Sequence, residues 1–336
     1  MIPIKGYATF DPLKHCWIGS GFQTDWFKDL SIYKNKKIID PLKRIAEETE
    51  EDYQALEKLL QSHGVQTYRS FLDIEKYGSL KNNKIQRPPL TPRDYFAVIG
   101  EKFYATGGPN AGFVDVIKQI DPKNIVLDLQ LGCISTAEIT RVGKDLFWDY
   151  NTNWFRPGEV EKYTKKFQQE GYRVHHSTRG EHSDGLFCVV KPGCIVTVTD
   201  VQDYSKLFPG WDVFYLPDQT WGTESPFQKI KNKVGGKWWL KGEEDNNQLI
   251  EFVNSWLDTW VGYVEETVFD VNMLSLDQNH IICNNYHKEV FDFFKKHKVE
   301  PILFNFRHKY FWDGGVHCIT QDLYREGELV DYLGKQ

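Results

Sequence analysis

The sequence lacks the features that place a chain in a membrane, in the secretory route or on nucleic acid. It has no run of about 18 apolar residues, and residues 1–10 do not join a charged segment to an apolar one as a signal peptide does. It has no lysine or arginine run, and its net charge of -6 would repel a phosphate backbone. We therefore expect a cytoplasmic protein that binds neither membrane nor nucleic acid.

Cysteine is scarce and follows no metal-ligand spacing. A chain of 336 residues does not need disulfides to fold, so we expect reduced thiols. The pair His175 and His176, with His182, offers imidazoles without the regular pattern of a metal site. Cys318 stands apart, because the other cysteines lie in apolar, strand-like runs where cysteine acts as a small hydrophobic residue. These are Cys16, Cys133, Cys188, Cys194 and Cys283.

What the sequence does contain is a recurring order of elements: two short apolar runs around a turn, a helical stretch, and an isolated strand. Strand-forming residues flank turn residues in four clear hairpins. A weaker hairpin is predicted at residues 13–21. The clear hairpins are residues 95–105 around Gly100, 139–148 around Gly143, 187–198 around Gly193, and 273–283 around residues 277–279.

The helical stretches bury one face each. Apolar residues recur every three to four positions. In the first stretch these are Ile45, Tyr53, Leu56, Leu59 and Leu60, and in the last Val290, Phe293 and Phe294. Gly64 and Gly171 stand where a left-handed helix cap belongs. The isolated third strands are predicted at residues 65–68, 125–129, 172–176, 212–216 and 299–304.

Five such ββαβ units cannot bury their own faces, so they should close around an axis, with the last hairpin completing the first unit. The sequence therefore predicts an α/β fold, a five-bladed ββαβ propeller with pseudo-fivefold symmetry. We expect one catalytic domain over residues 1–336. The alternative is an ordinary mixed α+β sheet.

Residues 217–270 interrupt the repeat and form a predicted insertion. The insertion is rich in tryptophan, lysine and glycine, as at Lys237-Trp238-Trp239. It also predicts a helix whose apolar face carries Leu249, Phe252, Val253, Trp256 and Trp260. Long insertions often serve as lids or binding surfaces. Extra core packing by the tryptophans is an equally good interpretation.

Three short segments carry residues with reactive side chains. Cys318 ends the segment 314–318, which opens with two glycines that permit close backbone approach and positive φ. His182 and Asp184 are two residues apart and share a face of an extended chain. Arg93 and Asp94 lead into the hairpin at 95–105. Each segment alone has an ordinary structural explanation: a buried thiol, a surface pair and a local ion pair.

Taken together, these segments resemble glycine amidinotransferases and the wider pentein superfamily of guanidino-group-modifying enzymes. The resemblance covers most of the chain and keeps the order of its parts. The pentein fold is a five-bladed ββαβ propeller, which agrees with the repeat count. The matching segments are residues 11–13, 92–94, 141–147, 172–175, 182–184 with the turn at 191–193, and 314–318 followed by Asp322 and Leu323.

The resemblance implies a role for each matching residue. Cys318 matches the nucleophile, whose thiolate attacks the guanidinium carbon to give an amidino-cysteine. His182 matches the acid/base that protonates the departing amine and deprotonates the acceptor. Asp94 and Asp184 match carboxylates that hold the planar guanidinium. We also assign Arg93 and Glu181 to the substrate-binding set.

The sequence departs from the family pattern in two places. Ser135 stands where the family has the aspartate that orients the histidine, so Glu138 or Glu181 would supply that charge, or the reaction would be slower. Val201 stands where the family has an arginine for the substrate carboxylate, which puts a plain α-amino acid donor in doubt.

The expected function is transfer of an amidino group from arginine or a related guanidino donor to an amine, without a metal or organic cofactor. If water resolves the amidino-cysteine instead, the chain is a hydrolase, either a deiminase or a dihydrolase. A third reading is a guanidino-binding protein without turnover. The sequence leaves the donor, the acceptor and the oligomeric state open, including a homodimer.

Overall fold

The computed structural model describes residues 1–81, 84–106, 110–128, 134–153, 155–178, 182–199, 202–217, 240–257, 261–262 and 270–334. Its strands are β1 (Leu13–Ile18), β2 (Gln66–Arg69), β3 (Leu80–Lys81), β4 (Lys84–Ile85), β5 (Phe96–Ile99), β6 (Lys102–Thr106), β7 (Ile125–Asp128), β8 (Ile139–Val142), β9 (Asp145–Asp149), β10 (Arg173–Ser177), β11 (Phe187–Lys191), β12 (Cys194–Thr197), β13 (Asp212–Tyr215), β14 (Leu274–Ser275), β15 (His280–Cys283), β16 (Glu300–Leu303) and β17 (Thr320–Arg325). Its α-helices are α1 (Lys36–Ser62), α2 (Ile74–Tyr77), α3 (Val114–Ile117), α4 (Glu159–Gln169), α5 (Tyr204–Leu207), α6 (Asn247–Trp256), α7 (Lys288–Lys296) and α8 (Lys309–Trp312).

The described strands, apart from the small β3-β4 pair, form five three-stranded sheets, here called blades one to five. In every blade the middle strand pairs antiparallel with the first strand and parallel with the third. The predicted five-bladed ββαβ propeller is therefore confirmed, and so are its four clear hairpins. The blades are β17-β1-β2, β5-β6-β7, β8-β9-β10, β11-β12-β13 and β14-β15-β16.

Blade one is built from both ends of the chain. Strand β17 pairs antiparallel with β1, with Gln321 opposite Trp17. The expected closure of the ring is confirmed, but the weak hairpin predicted at residues 13–21 is wrong. After Ile18 the chain does not turn back to form a second strand; instead, the Gly19 N–H donates to the Ile319 carbonyl, at 2.8 Å. The C-terminal strand thus takes the place of that missing strand.

Helices α1, α4 and α7 end in the same way and set the start of the third strand of their blades. A backbone N–H beyond the helix donates to the carbonyl five residues earlier, in the last turn, which is the Schellman arrangement. Gly64 (φ 76°) and Gly171 (φ 93°) take the left-handed cap position, as predicted, and Lys298 (φ 56°) does so in blade five. The bonds join Val65 N to Leu60 O at 3.1 Å, Tyr172 N to Phe167 O at 3.0 Å, and Val299 N to Phe294 O at 2.9 Å.

The connecting helices differ greatly in length. Helix α1 has 27 residues, whereas α3 and α5 in blades two and four have 4 residues each. The predicted apolar face of α1 is buried at Ile45, Tyr53, Leu56 and Leu60. Within the described ranges, no helix has both the length and the apolar character needed to cross a membrane.

The described part of the insertion packs against helix α1. Helix α6 buries Leu249, Phe252 and Val253, and the Phe252 ring meets Phe27 edge to face, with centroids 5.8 Å apart. The prediction that Trp256 shares this buried face is wrong, because Trp256 is 47% exposed. Residues 237–239 and Trp260 lie outside the described residues. Core packing is thus the role of the part that is described.

A buried charge cluster ties three blades together. Asp322 of β17 pairs with Arg93, which precedes β5, at 3.0 Å, with Arg141 of β8, and with its neighbour Arg325 at 2.8 Å. All four side chains are at most 1% exposed. Buried charges are costly unless they are paired, so this cluster specifies how blades one, two and three meet.

Candidate active site

The candidate site is built from equivalent positions in the blades. In each blade, a polar residue stands one to three positions before the first strand. Because the first strands occupy the same position in each repeated blade, their N-terminal ends meet at one end of the propeller. These residues are Asp94, Glu138, Asp184, Asn272 and Cys318.

The Cys318 thiol is 8% exposed and lies against a carboxylate. Its Sγ is 3.6 Å from Asp184 Oδ2 and 3.0 Å from Asn272 Nδ2. Burial, together with the negative charges of Asp184 and Asp94, raises the pKa of Cys318 well above its usual range. Hydrogen bonds from Asn272 and the Gly315 backbone act in the opposite direction. The thiol is therefore protonated when the site holds no cation.

Asp184 is held by a histidine that the sequence did not single out. His317 Nδ1 lies 2.8 Å from Asp184 Oδ2. Burial, followed by the nearby charge of Arg93, lowers the pKa of His317 to about 4, so this imidazole is neutral at neutral pH. Burial opposes ionisation of Asp184, but the hydrogen bond from His317 and the nearby charges of His182 and Arg93 together outweigh it, so the pKa of Asp184 is lowered. Asp184 is thus an anion, ready to accept from a cation.

Asn272 and Asn284 were also missed by the sequence reasoning. Asn272 Oδ1 accepts from the backbone N–H groups of His317 (3.0 Å) and Cys318 (3.3 Å). Asn284 Oδ1 accepts from Val316 N at 2.7 Å, and its Nδ2 donates to the Asn272 carbonyl at 2.6 Å. A lone asparagine at the end of an apolar strand gives no sequence signal, because its partners are far away along the chain.

The two glycines before Cys318 are needed for space. Neither Gly314 nor Gly315 is among the glycines with positive φ, so that part of the expectation is wrong. A Cβ at Gly315 would lie 2.5 Å from Asn272 Oδ1 and 2.6 Å from Asn284 Nδ2. Only glycine lets the two amides close on the loop.

His182 and Asp94 face each other, as the predicted roles require. His182 Nδ1 lies 3.8 Å from Asp94 Oδ1, and the imidazole is 32% exposed. Burial raises the pKa of Asp94, and the charges of His182 and Arg87 offset part of this. Asp94 and Asp184 therefore differ, since the pKa of one carboxyl is raised and that of the other is lowered.

Glu138, rather than Ser135, is electrostatically coupled to His182. Burial raises the pKa of Glu138 to about 8, and His182 is the strongest influence that lowers it. Its Oε2 also accepts from Trp148 Nε1 at 3.4 Å. The Ser135 hydroxyl accepts from the Glu138 backbone N–H at 3.3 Å, so it supports the turn that carries Glu138. Glu181 and Val201 lie outside the described residues.

Arg93 is enclosed by protein groups. Its Nε donates to the carbonyls of His317 (2.7 Å) and Thr320 (2.8 Å), on either side of Cys318. The side chain is 0% exposed. In this structure its guanidinium therefore contacts the backbone around Cys318, and a contact with substrate stays a prediction.

The other described cysteines and the histidine pair lie elsewhere in the fold. Burial raises the pKa of Cys16 and of Cys194 to about 12 and raises those of Cys188 and Cys283 as well. All four lie in strands, as expected. His175 Nε2 bonds to Asp145 Oδ1 at 2.7 Å, and His176 Nε2 lies 3.1 Å from Thr164 Oγ1. Cys133 lies outside the described residues.

A cavity lined by described residues lies apart from the site. It has a volume of about 650 Å³ and lies between α1 and the chain at residues 20–24 and 69–71. Its charged lining consists of exposed glutamates of α1 and Arg69. None of the residues built into the candidate site lines it.

Comparison with known proteins adds a sequence relationship. The chain is 22% identical over 217 residues to the L-arginine:L-lysine amidinotransferase of Pseudomonas savastanoi pv. phaseolicola. It is 23% identical over 210 residues to the mitochondrial glycine amidinotransferase of Xenopus laevis. The alignments cover 62% and 60% of this chain but only 49% and 40% of the relatives' own lengths. No protein-family model matches the chain.

Solved structures match the fold over nearly the whole chain. An amidinotransferase of the saxitoxin biosynthetic pathway from Microseira wollei covers 98% of this chain and 99% of its own, with a TM-score of 0.66 and 18% identity. The inosamine-phosphate amidinotransferase of Streptomyces griseus covers 99% and 100%, with a TM-score of 0.69 and 14% identity. A hydrolase, the agmatine deiminase of C. jejuni, covers 97% of each chain at a TM-score of 0.56 and 13% identity. This chain therefore has the fold of these enzymes, and its sequence is similar to those of amidinotransferases.

Proposed function

We propose that this protein transfers an amidino group from a guanidino donor to an amine, with Cys318 as the nucleophile. The similarity in sequence to two amidinotransferases supports transfer as the reaction. The convergence of Cys318, His182, Asp94 and Asp184 at one end of the propeller supports the assignment of roles. Arginine, or a close relative of it, is the proposed donor.

The observation that carries the proposal is the 3.6 Å approach of Cys318 Sγ to Asp184 Oδ2. A reactive cysteine is usually activated by a nearby positive charge. Here Asp184 and Asp94 surround the thiol with negative charge, which opposes its ionisation. A bound guanidinium neutralises both carboxylates and brings a cation to the sulfur. The substrate itself is thus the group that activates the nucleophile.

The reaction then proceeds in two balanced halves. With the guanidinium bound, Cys318 Sγ passes its proton to His182 and attacks the guanidinium carbon as the thiolate. The bond from that carbon to the leaving nitrogen breaks, and His182 gives the proton to the departing amine. The amidino group stays bonded to Sγ. An acceptor amine then attacks the same carbon and loses a proton to His182, and the carbon–sulfur bond breaks to restore the thiolate. No step requires a metal or an organic cofactor.

Glu138 is the proposed partner of His182 in this proton transfer. Its carboxyl is buried, and its pKa is raised to about 8, with His182 opposing the shift. Because the two groups attract each other, ionised Glu138 favours the protonated form of His182, which holds the proton that the leaving amine needs. Ser135 contributes by holding the Glu138 backbone through its hydroxyl.

Arg93 has a positioning role in this proposal. It bonds the carbonyls of His317 and Thr320 and pairs with Asp322. These contacts fix the turn that carries Cys318 between them. Glu181 stays in the proposed substrate-binding set on its sequence position alone.

The test follows the labelled carbon. The full chain is incubated with arginine labelled with ¹³C at the guanidino carbon, together with a panel of amines that includes glycine and lysine, and the products are resolved by mass. Transfer yields unlabelled ornithine and a labelled guanidino product. Acid-quenched protein should carry one labelled amidino group on Cys318.

Hydrolysis is the second candidate, because an agmatine deiminase shares the fold. If labelled citrulline forms at the same rate with and without amines, the reaction is hydrolysis and not transfer. Absence of both products and of any label on Cys318, across arginine and related guanidino compounds, would overturn catalysis altogether and leave guanidino binding as the function.

A further inference from the structure

Asn272 joins the nucleophile to the carboxylate that faces it. Its Nδ2 lies 3.0 Å from Cys318 Sγ and 3.1 Å from Asp184 Oδ2. Its Oδ1 accepts from the backbone N–H groups of His317 and Cys318. The side chain is 2% exposed and belongs to blade five, whereas the nucleophile belongs to blade one. One amide thus fixes the relative position of two reacting groups on different blades.

The orientation of this amide follows from its partners. A backbone N–H can only donate, so the side-chain atom that faces His317 N and Cys318 N must be the amide oxygen, Asn272 Oδ1. The NH₂ group must then face the sulfur and the carboxylate. Its two hydrogens face three acceptors, Cys318 Sγ at 3.0 Å, Asp184 Oδ2 at 3.1 Å and the Asp184 backbone carbonyl at 3.3 Å, so one hydrogen lies towards Asp184 and the other towards the sulfur.

A second asparagine makes a matched pair with the first. Asn284 follows β15 in the same blade. Its Oδ1 accepts a hydrogen bond from Val316 N, and its Nδ2 donates one to the backbone carbonyl of Asn272. Both amides support the loop at residues 314–318, and Gly315 lies between them. Only Asn272 reaches the sulfur.

We propose that Asn272 is a further catalytic residue, which donates a hydrogen bond to the Cys318 thiolate and stabilises it for attack. Hydrogen bonding to the charged form of a group favours that form. The proposal rests on the proposed function for its role in turnover, but its effect on the thiol is a property of the free protein.

The charged surroundings explain why such a donor is needed. Asp184 and Asp94 both disfavour the thiolate. Arg93 and His317 lie near Asp184, and His182 and Glu138 lie near Asp94, so each of these groups enters the titration. Arg93, His317, His182 and Glu138 are present both in the parent and in the Asn272 variants. A difference in thiol reactivity between these proteins therefore reports on the Asn272 amide.

The experiment measures the rate of Cys318 alkylation by iodoacetamide at pH 7, 8 and 9, by intact mass, in the parent, Asn272→Ala and Asn284→Ala. A charged hydrogen bond to the sulfur predicts that Asn272→Ala lowers this rate about 10- to 100-fold at each pH, because a smaller fraction of the thiol is ionised. Asn284→Ala loosens the same loop without touching the sulfur, so its rate should stay at the parent value. Asn272→Leu, which is uncharged and close to asparagine in size, serves if Asn272→Ala does not fold.

Two results would overturn the proposal. One is an unchanged alkylation rate in the folded Asn272 variant. The other is an equal change of rate in Asn284→Ala and Asn272→Ala, since loop disorder would then explain both. Because the assay needs no substrate, a slower alkylation found only in the Asn272 variants supports this role even if no amidino transfer is detected.

Discussion

His317 Nδ1 lies 2.8 Å from Asp184 Oδ2, so the residue next to Cys318 orients the carboxylate that faces the Cys318 thiol. The low pKa of His317 means that its proton in this contact is the Nδ1 hydrogen of a neutral ring. Protonating the ring costs folding free energy, because burial and Arg93 disfavour the cation.

The acid stability of the fold should therefore depend on His317. Its folded-state pKa of about 4 lies below the ordinary 6.5, so the unfolded chain takes up the proton first as the pH falls. This contribution to stability is complete above pH 6.5 and is lost as the pH drops towards 4. We expect His317→Asn, which keeps a donor to Asp184, to flatten that loss in urea unfolding at pH 7.5, 5.5 and 4.5. The exposed His63→Gln change should leave the slope as in the parent.

Replacing the nucleophile should remove turnover and leave the fold. We expect Cys318→Ala to lower kcat on the order of 10⁴-fold or more, with a circular dichroism spectrum like that of the parent. Cys194, in β12 of blade four, is the matched control, and Cys194→Ala should keep kcat within about threefold. Iodoacetamide that inactivates the protein while labelling another cysteine would contradict the assignment.

Protonation of Asp94 should cause the loss of guanidino-donor binding at acid pH. Burial raises the pKa of Asp94, whereas that of Asp184 is lowered, so Asp94 loses its charge first as the pH falls. We expect kcat/KM for the guanidino donor to decline at acid pH and Asp94→Asn to lower it roughly 10- to 100-fold at neutral pH, the cost of one charged hydrogen bond. If kcat/KM declines at acid pH in Asp94→Asn as it does in the parent, a group other than Asp94 causes the decline.

Glu138 should show opposite effects on activity and stability. Its pKa of about 8 lies above the ordinary 4.5, so its contribution to stability is present below pH 4.5 and is lost as the pH rises through 8. Glu138→Gln removes this penalty, and we expect a more stable fold at pH 9, on the order of a few kcal/mol at most. The same change should lower kcat about 100-fold or more, because His182 loses its partner.

Ser135→Asp separates the two explanations for the missing aspartate. Because Glu138 already supplies a carboxyl, a second one beside it at a buried position should destabilise the fold and not raise kcat. A marked increase in kcat, or a shift of the optimum towards neutral pH, would instead mean that the orienting carboxylate is absent from the parent. Chemical unfolding and a pH–rate profile measure both effects.

The buried cluster at Asp322 should matter far more than a surface ion pair. Asp322→Asn leaves Arg93, Arg141 and Arg325 buried without their anion, and we expect a loss of about 3–5 kcal/mol in the free energy of unfolding. Asp292 pairs with Lys288 on an exposed helix face. Asp292→Asn should leave the same free energy close to the parent value, because water screens an exposed ion pair.

The sequence by itself determined the local parts of this protein. Turn residues at Gly100, Gly143 and Gly193 specify hairpins, and Gly64 and Gly171 specify helix ends, because each requirement is met within a few residues of chain. Five repeats of these local patterns imply five blades, since no unit buries its own faces. The candidates Cys318, His182, Asp94 and Asp184 were identifiable in the same way, from short segments and their resemblance to a family.

Only the tertiary structure decided which groups meet. Strand β1 finds its antiparallel partner at the other end of the chain, where no local pattern records it. The contacts of Asn272 and of His317 with Asp184, and of Asp322 with Arg93, join segments that are far apart along the chain or lie on different blades. The electrostatic influence of His182 on Glu138 does the same. The same holds for pKa values, because burial and the charges of distant residues determine them. A lone asparagine, histidine or glutamate in sequence carries none of that information.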